Sequence, residues 1–214
     1  MKNIFLGFVF FFVSASSLFA QEKNRTVEDV GLYIKAFVVH NYNFKLNSTL
    51  TDMGHKKIPN ILTGGTVGLY LDIKKMTFTM DLGVEGMYYS KTRILNFISN
   101  ISAGYKLTLP KKQSLIFAGN IAYNEHNVYT YADKGNINFQ NPDLSNPTMF
   151  HLKLDQIMLG PKITWRNTIC QIGIGYDFGI IPIHWKSTSV NITNSPKERI
   201  DKIHFDIAVK IVNY

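Results

Sequence analysis

The sequence predicts an all-β chain, an eight-stranded antiparallel up-and-down transmembrane β-barrel. Three observations predict it. Apolar and polar residues alternate with period two over eight segments. The apolar parity of those segments carries no charged residue, as a lipid-facing surface requires. The connections alternate between short and long, which puts tight turns at one rim and long loops at the other. Composition agrees. Only 18% of the 214 residues are charged while 13% are aromatic, so much of the surface faces something other than water.

The N-terminus reads as a removable leader. Lys2 is followed by an apolar run over residues 4–13 and a small, mildly polar stretch ending at Ala20. That is the layout of a secretory signal peptide, and the run is too short for a membrane helix. The expected organisation is a signal peptide over 1–20, a short periplasmic segment over 21–29 and a barrel over 30–214. Gln21 rather than cysteine follows the expected cut, which argues against lipoprotein processing.

The eight segments are 30–39, 65–73, 76–89, 94–109, 114–124, 157–165, 170–180 and 203–214. In the first, Val30, Leu32, Ile34, Ala36 and Val38 oppose Gly31, Tyr33, Lys35 and Phe37. In the seventh, Ile172, Ile174, Tyr176 and Phe178 oppose Gln171, Gly173, Gly175 and Asp177. The short links are Lys74 with Lys75, then 110–113 and 166–168; the long ones are 40–64, 124–156 and 181–202. The link at 90–93 is short where a long one is expected. Pro161 interrupts the sixth segment and predicts a lost ladder hydrogen bond or a bulge.

A family resemblance rests on the two ends of the chain. Leu18-Phe19-Ala20 followed by Gln21-Glu22-Lys23 resembles the leaders of Bacteroidota outer-membrane barrels. The last segment carries Ile203, Phe205, Ile207, Val209 and Ile211 on one parity and ends in the aromatic Tyr214. The mature chain thus resembles small outer-membrane barrels of the OmpA and OmpX type. The resemblance implies location in the outer membrane of a Gram-negative bacterium, with outer-membrane lipids and the barrel-assembly machinery as partners. Tyr214 is out of phase with its strand, which calls for a register shift near Val212.

The candidate site is the polar face. Asp81, Glu85, Asp177 and Asp206 share it with Lys35, Lys106, Lys162 and Lys210. An eight-stranded barrel is just wide enough to be filled by side chains, so opposite charges are expected to pair there as a structural network. Asp81 with Lys106 and Asp206 with Lys35 are the expected pairs.

No cofactor or metal is implied. The six histidines show no ligand spacing, and Cys170 is the sole cysteine. The net charge of +8 is scattered rather than clustered, which, with an export signal, argues against nucleic acid. Lys74, Lys75, Lys111, Lys112 and Arg166 read as solvated turn residues.

The expected role is non-enzymatic: structural, or surface interaction through the long loops. Residues 125–149, rich in Asn, Asp and Tyr and including Tyr129 and Tyr131, are the candidate for an extracellular partner. Two alternatives use similar sequence patterns. One is a lipid A-modifying enzyme on the same scaffold. The other is a secreted soluble lipid-binding barrel with its apolar faces turned inward.

Overall fold

The computed structural model describes residues 27–42, 44–52, 57–89, 92–133, 136–138, 147–187 and 191–213. The expected leader, most of the segment after it and Tyr214 lie outside these residues. Eight long strands close into a barrel: β1 (Val27–Tyr42), β2 (Ile61–Ile73), β3 (Met76–Tyr89), β4 (Thr92–Leu109), β5 (Gln113–Asp133), β7 (Pro147–Arg166), β8 (Cys170–Gly179) and β12 (Asp201–Asn213). Each pairs antiparallel with its sequence neighbour in the barrel, and β1 closes on β12. The long connections carry a helix α1 (Leu46–Asp52) and four short strands: β6 (Asn136–Asn138), β9 (Ile183–His184), β10 (Asn191–Thr193) and β11 (Lys197–Glu198). β6 pairs with β10 and β9 with β11.

The alternation decides which way the wall faces. Val67, Ile121 and Ile174 are each more than half exposed, while Tyr33, Lys35, Asp81 and Asp177 on the other parity are buried. Apolar residues therefore form the outside and charged residues the inside. A water-soluble carrier barrel would need the reverse, so that alternative is overturned. An apolar belt around a closed wall with no free edge is the solution for backbone that crosses hydrocarbon. This is the architecture of an outer-membrane β-barrel.

Two sequence irregularities have local consequences. Leu32 pairs with Val212 but Tyr33 pairs with Lys210, so Ile211 is the extra residue of a bulge. That is the register shift the phase of the last strand requires. Pro161 faces Gly119 on β5. Toward β8 the ladder pairs Leu159 with Phe178 and Lys162 with Gly175, with no pairing between. The step is three residues on each strand, so proline removes hydrogen bonding here without a bulge.

One expected boundary is wrong. The sequence placed a loop from residue 124 to 156, but β5 and β7 stay paired beyond Asn124 and Gln156 for nine further residue pairs, up to Asp133 with Pro147. Much of the segment 125–149 is therefore a hairpin. Its polar residues broke the alternation because they lie above the lipid belt. A ladder needs only backbone groups there, and outward side chains are free to be polar.

Candidate functional site

The interior is organised in rows that cross the strands. Tyr33, Gly68, Asp81 and Asn100 occupy one row over β1, β2, β3 and β4. Asp81 is almost wholly buried and accepts three hydrogen bonds: from Tyr33 Oη at 2.6 Å, Lys35 Nζ at 2.7 Å and Asn100 Nδ2 at 3.2 Å. Gly68 makes the first possible. A Cβ there would lie 2.4 Å from Tyr33 Cζ and 2.5 Å from Asp81 Oδ1.

The expected pair of Asp81 with Lys106 does not form. Asp81 is opposite Asn100, so Lys106 sits six residues further down β4, about 20 Å away at the rise of a strand. Lys106 instead bridges Asp72 at 3.0 Å and Glu28 at 2.8 Å at the short-turn rim. The expected pair of Asp206 with Lys35 does not form either. Lys35 faces Ala208 rather than Asp206 and turns to Asp81. Asp206 is bridged by Lys162 at 2.8 Å.

Two glycines on β8 shape that second cluster. Asp206 is opposite Gly173, and both His204 and Lys162 are opposite Gly175. The His204 ring lies over Gly175, with Nε2 3.4 Å from Asp177 and Nδ1 3.5 Å from Asp206. Asn120 donates to Asp177 at 2.7 Å. Glu85 is bridged by Lys202 and accepts from Asn96 Nδ2 at 2.8 Å.

At the short-turn rim Asp72 accepts from Arg166 at 2.9 Å and Thr77 at 2.8 Å. Arg166 and Lys210 both lie over the Tyr70 ring, 4.6 and 4.8 Å from its centroid. Lys210 also approaches Asp29 at 3.5 Å. Arg166 is thus buried inside the barrel, not a solvated turn residue. Its parity with Lys162 and Thr164 was the available signal, and the same parity argument reaches Lys202 and His204 from Asp206. Asp72 closes its strand on the inner parity of Tyr70.

Among the described residues the lumen holds cavities of ≈ 20 and ≈ 50 Å³. Spaces of that size admit ordered water.

The long-loop end closes over an apolar core that the sequence did not reveal. Leu46 and Leu50 of α1, Ile58, Leu62, Ile94, Val128, Leu152, Leu154, Trp185 and Ile200 are all buried in it. Leu46, Leu50, Ile58, Trp185 and Ile200 form a lid over the barrel mouth, packed on the wall residues Leu62, Ile94, Val128, Leu152 and Leu154. Glu198 ties it together. It accepts from the Trp185 indole and from the Leu46 backbone N–H at 3.1 Å, joining the last loop to the first. Burial pushes the Glu198 carboxyl above its ordinary range, and the bonds from Trp185 and Leu46 pull only partly against that. Gln156 at the top of the lumen accepts from Ile200 N–H at 3.3 Å, joining lid to wall.

No protein-family model and no curated protein matches the sequence. Solved structures do. The chain is similar to a major outer membrane protein from Thermus thermophilus, with a TM-score of 0.49 at 11% identity over 85% of this chain and 99% of that one. It is similar to Neisserial surface protein A, with a TM-score of 0.45 at 14% identity over 86% and 99% of the two chains. The N-terminal β-barrel domain of Pseudomonas aeruginosa OprF gives 0.45 at 10% identity over 88% and 99%.

The outer surface of the β5–β7 hairpin carries a polar network above the belt. Lys153 bridges Glu125 at 3.1 Å and Asp155 at 3.4 Å, and Tyr123 donates to Asp155 at 2.8 Å. His151 hydrogen-bonds Asn127 at 2.7 Å and stacks on Tyr129 with centroids 4.5 Å apart. Tyr129 therefore belongs to a paired strand. The side chain of Tyr131, the other tyrosine singled out in the sequence, lies outside the described residues. Among the described residues no three His, Cys, Asp or Glu side chains converge on a metal position.

Proposed function

We propose that this protein is a non-enzymatic outer-membrane barrel that presents a fixed extracellular surface to a partner, with the β5–β7 hairpin as the presenting element. One observation carries the reading: the two strands stay paired well past the lipid belt while the lid closes the mouth beside them. A filled lumen leaves little room for transport, and a braced hairpin lowers the ordering cost of binding. The polar outer face of that hairpin suits a polar partner. Outer-membrane lipids surround the belt, and the barrel-assembly machinery delivers the chain.

The test has two parts. Carbonate-washed membranes of the native host are expected to retain the chain, and protease applied to intact cells is expected to cut within residues 134–146. Planar bilayers holding the purified chain are expected to show no steady conductance. A carbonate-soluble chain would overturn the membrane assignment, and a stable open channel would overturn the filled lumen. Cross-linking on intact cells, with and without residues 134–146, then reads the partner. Equal cross-linking in both would remove residues 134–146 from the proposal, and equal cross-linking with Lys153 and Asp155 also replaced by alanine would remove the hairpin face.

A further inference from the structure

Two of the short turns are built from lysine. Lys74 and Lys75 connect β2 to β3, and Lys111 and Lys112 lie in the connection from β4 to β5. All four are exposed. Three of them hold a backbone conformation that lysine does not favour: φ is 51° at Lys74, 59° at Lys111 and 55° at Lys112. Glycine or asparagine adopts that left-handed region at lower cost. Turn geometry therefore does not account for lysine here, and the reason lies in the side chains.

The carboxylates of this rim are already met. Asp72 is bridged by Lys106 and Arg166, Glu28 by Lys106 and Asp29 by Lys210. Among the described residues none of the four turn lysines has an acidic partner. The excess charge is also one-sided. The third short turn, from β7 to β8, holds Asn167, Thr168 and Ile169, and the Arg166 before it is buried over the Tyr70 ring.

The wall fixes the level of these lysines. Lys75 O accepts from Lys106 N–H at 2.6 Å, which seats the first turn against β4 beside Leu107. Leu107 is opposite Leu115, and Leu115 is opposite Trp165. Met76, directly after Lys75, is an exposed apolar residue, and so is Leu107. Trp165 donates to Gln113 Oε1 at 3.3 Å, and Gln113 directly follows Lys112. The turn lysines thus begin where the apolar wall stops. An aromatic with one polar bond suits the boundary between hydrocarbon and headgroups. A lysine at that boundary lays its stem along apolar surface and puts its ammonium among phosphates. Basic clusters beside a membrane attract anionic lipid in this way. We propose that Lys74, Lys75, Lys111 and Lys112 form a patch that binds the phosphates of anionic phospholipids in the leaflet at the short-turn rim. The patch rests on the membrane-spanning wall and is independent of any role of the outer surface.

The test uses the full chain reconstituted in phosphatidylcholine vesicles with a minor share of phosphatidylglycerol. Bromine on the upper acyl carbons of one lipid or the other quenches a nearby indole. The chain has two tryptophans, and Trp185 is buried in the lid at the opposite rim, so lipid reaches Trp165. At low salt, brominated phosphatidylglycerol is expected to quench Trp165 more than in proportion to its share. The expected exchange constant over phosphatidylcholine is about fivefold or more, the factor that one lysine beside an anionic surface supplies. Rising sodium chloride is expected to abolish the excess, a readout that needs no variant. Lys74→Gln, Lys75→Gln, Lys111→Gln and Lys112→Gln combined are expected to bring the constant close to one, with heat-modifiable migration as in the parent. Arginine at all four positions is expected to keep the preference. Equal quenching by both lipids in the parent at low salt would overturn the patch. So would a preference that high salt leaves intact, or one that survives in the four-glutamine variant.

Discussion

Lys162 and Asp206 meet at 2.8 Å across a strand that lies between them and contributes no side chain at the crossing. The intervening residue is Gly173, paired with Asp206 on one side and Thr164 on the other. A Cβ at Gly173 would lie 2.7 and 3.0 Å from the Asp206 oxygens and 3.0 Å from Lys162 Cε. Charge pairing in this lumen is therefore set by which positions are empty as much as by which are charged.

Gly173→Ala is expected to cost about 1–3 kcal/mol through overpacking. Gly119→Ala is the control, because a Cβ there meets nothing within 4 Å. Heat-modifiable migration on gels gives the unfolding midpoint for both. Equal midpoints would show that the bridge tolerates a side chain beneath it.

The Asp81 cluster makes a sharper claim about partners. Lys35→Met leaves the Asp81 carboxylate without its ammonium, which costs about 3–5 kcal/mol in a dry site and less beside a water-sized cavity. A double-mutant cycle between Asp81 and Lys35 is expected to show coupling of about 0.5–3 kcal/mol, and one between Asp81 and Lys106 almost none. Coupling in the second cycle and not the first would contradict the geometry.

Arginine at Val67, Ile121 or Ile174 is expected to cost about 2–4 kcal/mol when the site lies near the bilayer midplane. The same change at the exposed turn residue Thr168 is expected to be close to neutral. Refolding into lipid vesicles in urea measures each. Uniform tolerance at the three wall positions would remove the hydrocarbon from around them.

Glu198 gives the lid a pH dependence of definite sign. Burial raises its folded-state value above that of the unfolded chain, so the folded lid holds the proton more tightly. Stability from this group is then fully present below the ordinary carboxylate range and declines as pH rises through the elevated value. Protection factors of the α1 amides, with the intrinsic pH dependence of exchange divided out, are expected to fall from mildly acid to neutral pH. Glu198→Gln is expected to flatten that profile. An unchanged profile in that variant would assign the dependence to another group.

Strand number and a register shift near the end of the last strand were legible, because a wall with two different faces enforces strict alternation. Which face turns outward was not: the alternation of Val67 and Asp81 fits either orientation, and the exposure of Val67 with the burial of Asp81 decides it. Ion partners were not legible. Pairing Asp81 with Lys106 assumed that adjacent strands put matching ends together, whereas register along β3 and β4 separates them by six residues. The hairpin above Asn124 was missed because the outward positions there carry polar residues such as Glu125 and Asn127, and alternation fades. Trp185 and Leu46 were missed for a different reason. They belong to isolated apolar residues in separate loops, which pack on wall residues such as Leu62 and Leu152 and leave no periodic trace of their own.

Glu85 reaches Lys202 across 117 positions of chain, and Glu198 reaches Leu46 across 152. Each joins the closing part of the chain to its first half. Contacts so distant in sequence are slow to form. Ties that form late act on the rate of escape rather than the rate of arrival. Weakening either tie is therefore expected to shorten the lifetime of the closed barrel while leaving its speed of formation nearly unchanged.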